Sequence, residues 1–311
     1  MLRWVGVGFV VLALVLVGTI MTRSVGQGLG QSRSQSLQSA LPTVASAQPV
    51  YTIRDLPNSL VHLLKIPAST IPAATAEFSL VPQLADQTAS LEEFSQRYDA
   101  LAVLNGGFFD PQNHQTTSYV MQQGQWVGDP RQNARLMQNP DLTPYLDQIL
   151  DRSELRRYRC SNPDRIQFAI ARHRAPLPAG CDLLDALGAG PQLLPELTLE
   201  AEGFTARDSR GEVIRDALGS NQPNARTAVG ILPDGSLLWV MAAQKPGLAA
   251  SGLTLPELAD FLRTEGAEAA LNLDGGSSSG LVYQGKPIYG KLDQDGNPVI
   301  RSVKSVLLLQ R

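Results

Sequence analysis

Past Pro49 this chain is never apolar for long. Leu101 to Leu104, Phe168 to Ala171, Ala228 to Leu232, Leu237 to Ala242, Ala270 to Leu273, Leu281 to Tyr283 and Val303 to Leu309 are largely apolar runs of strand length, the first, third and fifth of them ending at Asn, Pro and Asp. Pro233-Asp-Gly235 reads as the turn that joins the third and fourth runs into a hairpin. Helix signals are fewer. Ser90-Leu-Glu-Glu93 has the Ser-x-x-Glu form in which hydroxyl and carboxylate satisfy free backbone N–H groups reciprocally, with Leu91, Phe94 and Tyr98 on one face. Thr254-Leu-Pro-Glu257 repeats the device with Pro256 in the first turn, Leu258, Phe261 and Leu262 at helical spacing, and Gly266 placed to end the helix. Many short strands with few helices, some strands joined by tight turns, predict an α+β fold. The expected architecture is a mixed sheet core with a few flanking helices, not a regular βαβ winding.

The amino-terminal end obeys a different rule. Trp4 to Met21 carries no charge, and about 18 residues of helix reach about 27 Å, close to the hydrocarbon thickness of a bilayer. The Ala45-Ser46-Ala47 pattern lies too far downstream to serve as its cleavage site, so residues 1–21 read as an uncleaved transmembrane signal anchor. Residues 22–49, rich in Ser, Gln, Gly and Ala, read as a flexible linker, and residues 50–311 as the folded domain, with an elaboration at about 111–187. Basic and acidic residues number 26 and 29, a net charge of -3, which offers no general attraction for nucleic acid. Cys160 and Cys181 fit neither a zinc site nor a CxxC redox pair. They either form one disulfide in an oxidising compartment or remain two buried thiols.

Three segments could carry chemistry. In Leu271-Asn-Leu-Asp-Gly-Gly-Ser-Ser-Ser-Gly280 an apolar run ends in an acidic residue and then in glycines and serines. Gly275, Gly276, Ser277 and Ser278 could turn their N–H groups and hydroxyls on a phosphate, with Asp274 the carboxylate at the mouth; the plain alternative is a flexible hairpin loop. In Leu104-Asn-Gly-Gly-Phe-Phe-Asp110, Gly106 and Gly107 permit close backbone approach to a ligand. Asn105 offers a donor and an acceptor, Phe108 or Phe109 could wall a sugar face, and Asp110 stands in reserve as a second carboxylate; two buried rings beside a glycine turn explain the same pattern. Arg226, at the entrance to an apolar run, could grip phosphate oxygens in a bidentate fork or be a solvated arginine at a sheet edge. His62, His114 and His173 are scattered without metal-ligand spacing, and there is neither a Gly-x-Ser-x-Gly elbow nor a Walker loop. No cofactor or metal is called for.

Taken in order, Asn105-Gly-Gly-Phe-Phe109, Gly188-Ala-Gly-Pro191, Arg226-Thr-Ala-Val-Gly230, Gly252-Leu-Thr-Leu-Pro-Glu-Leu258 and Asn272-Leu-Asp-Gly-Gly-Ser277 resemble the phosphodiester glycosidase family. The likeness runs from about Tyr51 to the carboxyl end and is poor over 111–187. Ser277 stands where that family often carries a third glycine. The resemblance implies a mixed α/β domain outside the cytoplasm that cleaves the bond between a sugar's anomeric carbon and a phosphodiester, in envelope or exopolysaccharide metabolism. It implies Asp274 as nucleophile or base, Arg226 and the 275–278 backbone on the phosphate, and Asn105 with Asn272 in orientation. Its rivals are a membrane-tethered module that binds an anionic glycan without turning it over, and an enzyme that transfers the glycosyl or phosphoryl group to an acceptor other than water.

Overall fold

The computed structural model describes residues 48–68, 78–161, 164–248 and 250–311. The expected anchor, and the expected linker up to residue 47, lie outside the described residues. Among those described, no helix is long and apolar enough to cross a membrane.

Strand Leu237–Gln244 shows how the sequence dictates the core. Leu237, Trp239, Met241 and Ala243 enter one hydrophobic cluster, while Leu238, Val240 and Ala242 enter another. Successive side chains on a strand point to opposite faces, so a strand buried on both faces must be apolar at every position. This strand is central in a six-stranded antiparallel sheet ordered Val50–Asp55, Ser59–Ile66, Leu237–Gln244, Arg226–Ile231, Ala269–Asn272 and Gln192–Leu194. Its outer face is covered by the helix Leu255–Thr264, and its inner face meets a second sheet.

The second sheet runs Lys286–Tyr289, Gly280–Tyr283, Ala102–Asn105, Val303–Gln310 and Ser79–Ala89, again antiparallel. Here Leu307 and Leu309 face the shared interior, while Val306 and Leu308 face the cluster built around Leu91 and Phe94. The covering helices are α1, Leu91–Arg97, and α2, Leu255–Thr264. Both begin in the expected reciprocal caps, at Ser90 with Glu93 and at Thr254 with Glu257. Helix α2 buries Leu255, Leu258, Ala259 and Leu262 against the six-stranded sheet, and Gly266 ends it at φ +90°. The Pro233-Asp-Gly235 turn joins its two strands in antiparallel register, Ile231 opposite Leu237.

The 111–187 stretch builds most of a third antiparallel sheet, ordered Gln125–Gly128, Val120–Gln122, Cys181–Gly188, Ser153–Ser161 and Asp164–Arg172. Cys160 and Cys181 face each other in its register and form a disulfide. The described residues are thus sheet-dominated with few helices, and all of them belong to one compact unit.

Candidate active site

The glycine-bearing segments singled out in the sequence meet where the two facing sheets end. Asn105 is the joint. Its Nδ2 donates to the Asp274 carbonyl at 2.7 Å, and its Oδ1 accepts from the Thr227 hydroxyl at 2.8 Å and the Gly280 N–H at 3.0 Å. Backbone bonds tighten the knot: the Asp274 N–H donates to Gly106 O at 3.0 Å, Leu273 N–H to Thr227 O at 2.8 Å and Gly276 N–H to Ala225 O at 2.8 Å. The Gly188–Pro191 segment joins through Asn272, whose Nδ2 donates to Gly190 O at 2.8 Å. The Gly252 segment joins through Asn224, whose carbonyl accepts from Leu253 N–H at 2.9 Å.

This geometry revises the part played by the first glycine pair. A Cβ on Gly106 would lie 2.7 Å from the Ser305 backbone, and one on Gly107 would lie 2.1 Å from the Gly188 carbonyl. Their N–H groups donate to Ser305 O and Ser305 Oγ. Gly106 and Gly107 therefore admit neighbouring backbone, not a ligand. Asn105, fully buried, orients the Asp274 loop and reaches no substrate; Asn272, 2% exposed, is turned toward Gly190.

Asp274 is the chemically loaded group. It is partly open to solvent but surrounded by protein, and burial raises its carboxyl from the ordinary 3.8 to about 6. The Ser278 hydroxyl, the Gly275 N–H at 2.9 Å and the charge of Arg301 oppose that rise by favouring the ionised form. Arg301 is the cation of the site. Its Nη1 donates to Ser277 Oγ at 2.8 Å, and its guanidinium carbon lies 5.2 Å from the centre of the Phe109 ring. Hydroxyl and ring together fix the fork beside the carboxylate while the side chain stays half-buried. Arg301 was missed in the sequence because no motif surrounds it. The signal was the one that drew attention to Arg226: an arginine placed just before an apolar strand.

Arg226 itself is corrected. Its aliphatic stem passes Gly275, with Cδ 3.8 Å from where a Cβ would stand. The guanidinium then turns into backbone carbonyls, of Leu253 at 3.0 Å, Leu218 at 3.1 Å, Gly219 at 2.8 Å and Gln222 at 2.9 Å. With those donors occupied and only 3% of the residue exposed, it staples the 218–222 loop and grips no phosphate. Burial lowers it to about 10, which leaves it charged at neutral pH.

The expected nest of N–H groups is also mostly engaged. Gly275 donates to Asp274, Gly276 to Ala225, Ser278 to Gly275, Ser279 to Gly276 and Gly280 to Asn105. The segment Gly276–Ser278 is a single tight turn that presents hydroxyls, with Gly276 at φ +59°. Asp110 accepts from the Gln112 N–H and pairs with Arg135 at 2.7 Å, and these bonds hold its carboxyl low. It is an ionised turn residue, unsuited to act as a general acid.

A desolvated carboxylate thus lies beside a guanidinium, with serine hydroxyls around it, at the joined ends of two sheets. The protein-family comparison is more specific. The phosphodiester glycosidase model matches residues 98–310, and the chain belongs to that family. Among curated proteins none matches by sequence. Among solved structures the chain is similar to the zebrafish N-acetylglucosamine-1-phosphodiester alpha-N-acetylglucosaminidase catalytic domain, auto-inhibited by its pro-peptide. Identity is 16%, coverage is 85% of this chain and 83% of that one, and the TM-score is 0.58. A Synechocystis protein is 18% identical, with 84% of this chain and 61% of that one covered and a TM-score of 0.53. A protein from Burkholderia pseudomallei K96243 is 19% identical, with 81% and 74% covered and a TM-score of 0.52. At such identities these structures establish the likeness of fold.

Proposed function

We propose that this chain hydrolyses the bond between a sugar's anomeric carbon and a phosphodiester, with Asp274 on the sugar side and Arg301 on the phosphate side. The observation that supports the reading is the placement of these two groups about the Gly276–Ser278 turn, near enough for the guanidinium to act on the carboxylate. As the anomeric C–O bond breaks, its electron pair goes to the phosphate oxygen, where the guanidinium and the Ser277 hydroxyl stabilise the charge. Phosphate is a good leaving group, so the demand for a strong general acid is small. Asp274, ionised above about pH 6, meets the electron-poor anomeric carbon as nucleophile or takes the proton of the attacking water. Arg226, Asn105 and Asn272 position the loop from behind.

Envelope or exopolysaccharide metabolism is the proposed setting, with residues 1–21 as anchor and the domain outside the cytoplasm. The apolar Trp4 to Met21 run and the Cys160–Cys181 disulfide support that placement, since disulfides persist in oxidising compartments.

The test is to incubate the full chain with α- and β-linked hexose and N-acetylhexosamine 1-phosphodiesters and follow free sugar and phosphomonoester by NMR. Release of both from at least one diester, abolished by Asp274→Asn, is expected. A folded chain that releases sugar from none of them overturns the proposal, and products in which an added glycan replaces water reassign the reaction to transfer.

A further inference from the structure

We propose that Lys291 marks a second anion subsite, so that the natural substrate is a diester whose leaving alcohol carries a further phosphate, as in a phosphate-linked glycan or polyol polymer. The inference rests on the hydrolytic reading above and extends it along the substrate.

Beside the catalytic turn lies an open cleft of about 460 Å³, lined by Gln244, Lys245, Leu248, Ser251, Lys291 and Gln294 among others. That volume falls within the range of about 300–1,000 Å³ typical of small-molecule sites. The cleft adjoins the Gly276–Ser278 turn through short contacts. The Lys291 Nζ donates to Asn224 Oδ1 at 3.1 Å, and the Nδ2 of that amide lies 3.5 Å from where a Cβ on Gly276 would stand. Gly290, the preceding residue, is pressed against the same turn. Its N–H donates to Ser279 O at 2.9 Å, and a Cβ there would lie 3.0 Å from that of Ser279 and 3.1 Å from that of Ala225. One folded-back segment, closed by the Val299 N–H on Lys291 O at 2.8 Å and by the pairing of Leu292 with Pro298, thus starts at Lys291 and ends at Arg301. Both of its cations reach the catalytic turn, Lys291 through Asn224 beside Gly276 and Arg301 through Ser277.

Charge accounting within the cleft decides what it holds. The ammonium of Lys245 is already bound to Asp55 and to the Leu56 carbonyl. Asp293 also lines the cleft, but its carboxylate accepts from the Asp295 N–H at 2.9 Å and from the Asn297 N–H at 2.8 Å, which turns it into its own loop. Lys291 is half-buried, and no carboxylate among the described residues pairs with it. An ammonium so placed favours one negative charge, and the amide, hydroxyl and lysine lining suits a polar connecting segment better than a lipid chain.

The experiment measures binding, independent of turnover. Calorimetry on the full chain compares alkyl monophosphates with α,ω-alkanediol bisphosphates from ethanediol to hexanediol, at low and high salt. One bisphosphate is expected to bind at least tenfold tighter than its monophosphate, with the advantage shrinking in salt. Lys291→Met brings the two to parity and Lys291→Arg restores the difference; Lys291→Gln replaces the Met variant if that one does not fold. Equal affinity for mono- and bisphosphates at every length, or an advantage that survives loss of the lysine, overturns the inference. A chain that shows the two-anion preference yet releases sugar from no diester sinks the hydrolytic reading and leaves the subsite standing.

Discussion

Replacing Asp274 by Asn should stabilise the protein while disabling it, and the gain should depend on pH. Burial raises the native carboxyl from 3.8 to about 6, so between those values the native state binds more protons than the unfolded chain. Stability contributed by this group is fully present below about pH 4 and is lost as pH rises through about 6, because the stability slope follows the protons bound in the unfolded state minus those bound in the native state. At about 1.4 kcal/mol per pH unit the rise corresponds to about 3 kcal/mol. That is an upper bound, since solvent reaches the open side of the carboxylate. Asn keeps an acceptor for the Gly275 N–H and the Ser278 hydroxyl without the charge. Urea unfolding at pH 4, 5, 6 and 7.5 should give wild-type and variant curves whose separation grows by about 1 to 3 kcal/mol in favour of Asn, with unchanged m-values. Sugar release at neutral pH should meanwhile fall by orders of magnitude. A separation that does not change with pH, or a variant that loses ground as pH rises, would refute the desolvated-carboxylate argument.

Other predictions concern the loop's supports. The acid limb of kcat/KM for diester hydrolysis should fall at about pH 6, where Asp274 protonates; a limb near pH 4 would remove that residue as the titrating base. Arg301→Gln should cut kcat/KM by about 100-fold with little change in Tm, whereas Arg226→Gln should lower stability by about 3 kcal/mol because buried carbonyls lose their donors; the reverse pattern would restore Arg226 as the phosphate cation. Asn105→Ala strands the Thr227 hydroxyl, the Gly280 N–H and the Asp274 carbonyl, and denaturation should register a loss of about 3 kcal/mol. Ser277→Gly frees the guanidinium and should raise KM several-fold; unchanged kinetics would show that the Phe109 ring alone holds it.

The strands legible in the sequence were those apolar on both faces, such as Leu237–Gln244 and Val303–Gln310, since continuous runs need no periodicity to be noticed. Some edge strands escaped. Ser79–Ala89 carries Pro82, which argues against a central strand and is tolerated here because the strand closes one side of its sheet. Apart from Phe168 to Ala171, the third sheet was hidden by charge. Glu154 and Arg156 sit in its interior paired at 2.6 Å, and Arg157 pairs with Asp185, so a polar-looking stretch is in fact buried. At the site, glycine punctuation exposed Asp274 and its partners in the chain, but it overstated them as ligand contacts. Glycine marks close approach without saying what approaches. Arg301 carried only its position before an apolar strand and Lys291 no local pattern, because each is held by side chains from other segments.

The amide of Asn105 ties the Asp274 carbonyl and the Thr227 hydroxyl of one layer to the Gly280 N–H of the other. Until both layers have docked, no competent loop exists. During refolding, recovered turnover should therefore track only the slowest phase, which makes the enzyme's own output a clock for the closure of its sandwich.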